Sequence, residues 1–148
     1  MGLFDMLTIS GSALAAERQR AEVTSANLAN AETTHTDSGG PYVRKEVVFN
    51  STNGSPFQTV FNGVGNFAQP PAGSVHLTQV VNDTTPPVMR YEPGNPDADK
   101  NGYVTEPDIN PVLELTDLMV ASRAFDSSSG AVHGLLHANE TALHLADP

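Results

Sequence analysis

The placement of glycine and proline divides this chain before any other feature is considered. Of 23 such residues, 18 fall between Gly39 and Pro111, and none occurs from Ser12 to Ser38 or from Val112 to Ser129. In a helix interior glycine costs about 1 kcal/mol and proline about 3 kcal/mol relative to alanine. Long helices are therefore confined to the two flanks, and the middle is left to short elements joined by turns. At 148 residues the chain has the length for one domain's core, not for two independent ones.

Each flank carries a helical apolar period. In the first, Leu7, Leu14, Ala21 and Leu28 recur every seven residues, with Ile9, Ala13, Ala16 and Val23 beside them and Glu17, Arg18 and Glu22 on the opposite side. Its alanines and serines suit close approach by a neighbouring helix. The second flank opens with helix-start chemistry: Asn110 as cap, Pro111 at the first helical position and Glu114 in the first turn. Leu118, Phe125 and Val132 repeat at seven, with Leu115, Leu136 and Leu143 on the adjoining row. Gly130 and Gly134 predict a point of bending or fraying in that helix.

Between the flanks, "YVRKEVVF", "FQTVF", "VHLTQVV", "VMRY" and "GYVT" read as short strands, separated by turn signals such as Gly39-Gly40-Pro41, Asn53-Gly54, Pro70-Pro71 and Pro86-Pro87. The expected fold is α+β. Residues 1–36 and 110–148 form N- and C-terminal helices paired as a coiled coil, and residues 37–109 form a small loop-rich β domain inserted between them.

Charge narrows the function classes. Seventeen acidic residues face seven basic ones, a formal net charge of −10, and the basic residues are scattered. Nucleic acid and anionic membranes select clustered lysine and arginine, so neither is an expected partner. Cysteine is absent, which removes disulfide frameworks and thiolate metal sites. No apolar run approaches the ~18 residues of a membrane helix. Ala13-Leu14-Ala15 looks like a signal-peptidase site, but no basic start precedes an apolar core, and Asp5 interrupts the only apolar stretch. Met1-Gly2 lacks the Ser or Thr at position 6 that myristoylation needs. The expectation is a chain with no cleaved signal and no membrane insertion.

Two stretches imitate metal sites. Asp97, Asp99 and Asn101 alternate, Gly102 stands sixth and Asp108 twelfth, as in a calcium loop. Pro86, Pro87, Pro93 and Pro96 forbid the entering helix of an EF-hand, Pro107 sits at position eleven, and the last acid is the shorter aspartate. Asn101-Gly102 before Tyr103-Val104 is also a hairpin-turn signal, which explains the pattern without a metal. A calcium-binding module using the loop from Asp97 to Asp108 is the alternative reading. In the last helix, His133 and His137 have the spacing of paired zinc ligands, but Gly134 stands where a zinc hydrolase keeps its glutamate. No catalytic constellation stands out, so no enzyme and no cofactor are expected.

"ISGSALAAERQRAEVTSANLANAETT" followed by "GGPYVRKEVVF", and later "YEPGNPDADKNGYVTEPDINPVLELTDLMVASRAF", resemble the two signatures of the bacterial flagellar basal-body rod proteins. The Gly39–Tyr42 stretch with Arg44-Lys45, and the Pro-Asp-Ala-Asp run, resemble the proximal-rod members. The resemblance covers most of residues 1–126. It implies a structural subunit, exported without a cleaved signal peptide, that assembles in the periplasmic space of the basal body into a helical tube transmitting torque and enclosing the export channel. Its partners would be copies of itself, other rod proteins, and membrane-ring and export-apparatus components. The assembly seam would be formed by Leu7, Leu14, Ala21, Leu28, Leu115, Leu118, Phe125 and Val132, with hydrogen bonds from Asn27 and Asn30. After Phe125 the family pattern gives way to a Ser-rich, Gly-interrupted terminus.

Overall fold

A computed structural model describes residues 2–51 and 73–146. In chain order it contains helix α1 (Leu3–Ala29), strands β1 (Lys45–Ser51), β2 (Val75–Asn82), β3 (Val88–Tyr91) and β4 (Tyr103–Glu106), and helix α2 (Pro111–Ala146). This is the expected α+β class: a helix at each end and short strands between. The strands form two two-stranded sheets, β1 with β2 and β3 with β4. The expected strand "FQTVF" lies outside the described residues. No described helix is long and apolar enough to cross a membrane.

The chain divides into two compact units. One comprises Met1–Gln19, Phe49–Thr78 and Ala121–Pro148, the other Arg20–Val48 and Gln79–Val120. Among the described residues of the first, small side chains are the buried ones: Ala16 and Ala121 are almost wholly enclosed. Ser12 closes a local gap by donating to the Ile9 carbonyl at 2.7 Å and accepting from the Val75 N–H at 3.0 Å, so the first backbone donor of β2 is met by a helix side chain. Helix α2 runs through Gly130 and Gly134 without a break. Nothing lies within 4 Å of where a Cβ would stand at either glycine, so packing does not demand glycine there.

In the second unit the ends of both helices are capped by their own sequence. The Asn110 side chain accepts from the Val112 N–H at 3.0 Å, Pro111 fills the first helical position, and the Glu114 N–H reaches the Asn110 carbonyl, as the start signals predict. At the end of α1, Asn30 donates from its side chain to the Ala26 carbonyl, and the Thr33 hydroxyl donates to Asn30 Oδ1. Residues 33–42 then fold back on themselves. The Tyr42 N–H reaches the Thr33 carbonyl and the Thr36 N–H the Gly40 carbonyl, with Gly39 and Gly40 at φ of 86° and 76°. Only glycine takes two such positions cheaply.

Strands β3 and β4 are antiparallel, with Val88 opposite Glu106 and Tyr91 opposite Tyr103. The two tyrosine rings meet edge to face at 5.3 Å. Val104 is fully buried and anchors the hairpin, and Pro107, Ile109 and Ala31 are also buried in this unit.

Candidate assembly interface

The deepest polar cluster belongs to the second unit and centres on Asn27, 1% exposed. Its side-chain amide pairs with both backbone groups of Lys45: Nδ2 donates to the carbonyl at 2.8 Å, and Oδ1 accepts from the N–H at 2.9 Å. The fixed polarity of that peptide decides which way round the amide sits. Oδ1 also accepts from the Tyr42 hydroxyl at 3.1 Å, and Nδ2 reaches Glu114 Oε2 at 3.3 Å. One side chain at the end of α1 thus holds the start of β1 and the first turn of α2 together.

Glu114 is 2% exposed, and its charge is met by Arg44 Nε at 2.7 Å. The Arg44 guanidinium also pairs with Glu46 and, at 3.6 Å, with Asp83. The backbone closes the same corner, since the Arg44 carbonyl accepts from the Asp83 N–H at 2.7 Å. Partial burial by itself lowers the Arg44 pKa, but the hydrogen bonds and charges of Glu114 and Glu46 outweigh it, and the net shift is upward. Burial, with the nearby Glu114 charge, pushes the Tyr42 hydroxyl above its usual range. The Asp83 carboxyl is held down by hydrogen bonds from Thr85. A buried carboxylate with an arginine and an amide on its oxygens is satisfied; stripped of either it is costly.

Around this cluster α2 leaves its apolar side chains in solvent. Val112 is 68% exposed, Leu113 61%, and Leu115, Met119 and Val120 are near half. Several large apolar side chains exposed within one short stretch of helix are the mark of an interaction surface. Of the expected seam residues, Leu7, Leu14, Ala21, Leu28, Leu118 and Val132 are half-buried, while Leu115 and Phe125 are exposed. Asn27 bonds across to the first turn of α2, whereas Asn30 serves its own helix end. Sequence reasoning missed the roles of Arg44, Tyr42, Asp83 and Glu114. The available signal was Glu114 itself, a lone acid set within "PVLEL" where its neighbours are apolar.

Two acids of the calcium-like loop, Asp97 and Asp99, are already engaged within the chain. Asp99 Oδ1 accepts from the Asn101 N–H at 2.8 Å and the Tyr103 N–H at 2.9 Å, and Asp97 Oδ2 accepts from the Thr34 hydroxyl at 2.6 Å. Among the described residues no three His, Cys, Asp or Glu side chains are grouped to hold a metal. A strand, β3, and not a helix precedes the loop, and strand β4 occupies its second half. The turn chemistry accounts for the spacing, and nothing in the geometry supports the calcium alternative.

In chain order a helix stands on each side of a short-stranded β region, and an Asn at the end of the first helix is bonded to a Glu at the start of the second. The family profile "Flagella basal body rod protein" matches residues 7–34, and "Flagellar basal body rod FlgEFG protein C-terminal" matches residues 100–133. The chain is 38% identical over 128 residues to the flagellar basal-body rod protein FlgC of Salmonella typhimurium, covering 86% of each chain. It is 33% identical over 144 residues to FlgC of Borreliella burgdorferi, covering 90% of each. Against FlgC of Bacillus subtilis the identity is 32% over 137 residues, covering 90% of this chain and 91% of the other. The chain belongs to the FlgC family of flagellar basal-body rod proteins.

Proposed function

We propose that the chain is a structural subunit of the proximal rod that polymerises head to tail and laterally into a helical tube, transmitting torque and enclosing the export channel. Heterologous contacts that do not close generate such a tube. The observation that carries this reading is the row of exposed apolar side chains on α2, Val112, Leu115 and Met119, beside a polar cluster that is already satisfied within the chain. A monomer has no use for that row in water; a polymer buries it.

In this reading α1 and α2 pair as a coiled coil, with residues 37–109 as the inserted β domain. Leu7, Leu14, Ala21, Leu28, Leu115, Leu118, Phe125 and Val132 make the seam and its axial contacts. Asn27 and Asn30 act within the chain and hold the helix ends in place for those contacts. The partners are copies of this chain, other rod proteins, and the membrane-ring and export-apparatus components. The subunit works in the periplasmic part of the basal body, reached without a cleaved signal peptide, and has no enzymatic role.

The test replaces Val112 and Met119 with Asp, two exposed positions outside that seam. Expected are a folded monomer with unaltered circular dichroism, absence from purified basal bodies and loss of swimming. Normal swimming and normal recovery in basal bodies would remove the assignment of this face.

A further inference from the structure

The Asn101-Gly102 step combines a chemical liability with a geometric requirement. Gly102 has φ of 82°, and a Cβ there would stand 2.9 Å from Tyr91 Cε2 and 3.1 Å from Pro93 Cβ. Glycine is therefore required by both backbone and space. Asparagine before glycine is also the pair in which the following amide nitrogen meets least hindrance in attacking the side-chain carbonyl.

We propose that Asn101 is a deamidation site kept closed by the folded loop, with Asp99 as the clamp. The reaction proceeds when the Gly102 amide nitrogen, its proton taken by solvent base, bonds to Asn101 Cγ. The Cγ–Nδ2 bond breaks, ammonia leaves, and water opens the resulting succinimide to aspartate or isoaspartate. Every moving part is held in the native hairpin. The Gly102 N–H is committed to the Asp99 carbonyl at 3.0 Å, and its carbonyl accepts from the Glu92 N–H at 2.9 Å. Asp99 Oδ1 fixes the Asn101 and Tyr103 N–H groups, and the Asp99 N–H reaches the Tyr103 carbonyl at 2.8 Å. The nitrogen cannot turn toward Cγ without breaking these bonds together.

The same hydrogen bonds, first that from Tyr103, hold the Asp99 carboxyl below its usual range and keep it a weak base. Reaction then follows the small population in which the loop opens. An isoaspartate at 101 adds a methylene to the main chain and shifts Gly102 out of its fit against Tyr91 and Pro93. A chain that acquires isoaspartate at 101 while unfolded is therefore expected to re-form the β3–β4 hairpin poorly, whereas one that acquires aspartate keeps the normal main chain. Asp99, one acid of the run that resembles a calcium loop, acquires a purpose: it locks a labile turn.

The experiment holds the full-length chain in mildly alkaline buffer, once folded and once in concentrated urea, and follows Asn101 by peptide mass spectrometry with isoaspartate detection. Deamidation is expected to be slower in the folded chain by about tenfold or more. Asp99→Ala should bring the folded rate to within about threefold of the unfolded one. Asp97→Ala, which touches only the Thr34 contact, should stay as slow as the parent. Equal rates in the folded and unfolded parent would overturn the proposal, as would an Asp99→Ala chain as protected as the parent. If Asp99→Ala does not fold, the parent's ratio decides alone.

Discussion

Replacing Asn27 by alanine isolates the role of the buried amide. The substitution strands the Lys45 N–H and carbonyl, and takes one partner each from Tyr42 and Glu114. A buried polar group left without a partner costs about 1–3 kcal/mol. The Glu114 carboxylate retains Arg44, and a water-accessible cavity of about 260 Å³ lined by Asn27, Thr24 and Glu114 lets solvent reach part of the site. The two Lys45 backbone groups then dominate, for a loss of about 2–4 kcal/mol. Asn27→Asp discriminates further. It keeps the acceptor for the Lys45 N–H but turns an oxygen toward the Lys45 carbonyl and the Glu114 carboxylate, so it should be worse than alanine. Because the chain has no tryptophan and its three tyrosines, Tyr42, Tyr91 and Tyr103, all belong to the unit of Arg20–Val48 and Gln79–Val120, tyrosine fluorescence in a urea titration reads this unit alone. Asn27→Ala within about 0.5 kcal/mol of the parent, or Asn27→Asp more stable than Asn27→Ala, would refute the reasoning.

Gly102→Ala should destabilise the same unit by about 2–3 kcal/mol, through the left-handed φ and the contact with Tyr91, measured by the same titration. The Tyr42 pKa is raised in the fold, so its contribution is complete below the ordinary value of about 10 and is lost as pH rises past it. Tyr42→Phe should therefore flatten the alkaline limb of the stability profile. Self-association of purified subunits should strengthen as sodium chloride rises to about 0.2 M, since screening weakens repulsion between chains of net charge −10. Sedimentation velocity that shows salt-independent or salt-weakened association would instead indicate contacts between opposite charges.

The helices were legible because their boundaries are written in local chemistry. Asn110-Pro111 fixed the start of α2 to the residue, and four of the five expected strands correspond to β1 to β4. What sequence could not show was the depth of polar burial. Periodicity assigns apolar residues to the inside, so it selected Leu115 and Phe125, which are exposed, and passed over Glu114 and Thr24, which are buried. A carboxylate is buried only when partners far along the chain meet it. Here those partners are Asn27 and Arg44, 87 and 70 residues away. Small residues were legible only in part: Ala16, placed on the apolar face from sequence, is buried, and so is Ala121, which the heptad reading did not select.

The inverted pattern has a physical logic that connects fold to assembly. At about 100° per residue, a helix with Glu114 and Ala121 turned inward must present Val112, Leu115 and Met119 on one outward side and Leu113 and Val120 on another. An apolar residue at 114 would leave the rotation of α2 undecided, since Leu113, Leu115 and Leu118 offer competing faces of similar burial value. An ionised carboxylate that is satisfied only where Arg44 and Asn27 meet it admits one rotation. The ion pair adds little net stability over a well-packed apolar substitute; in this hypothesis its use is to specify orientation. Glu114→Leu tests that role directly: the chain should fold with stability near the parent's, yet expose a different face of α2 to cross-linking at Met119. An unchanged cross-linking pattern in a stably folded Glu114→Leu chain would show that the carboxylate does not set the rotation.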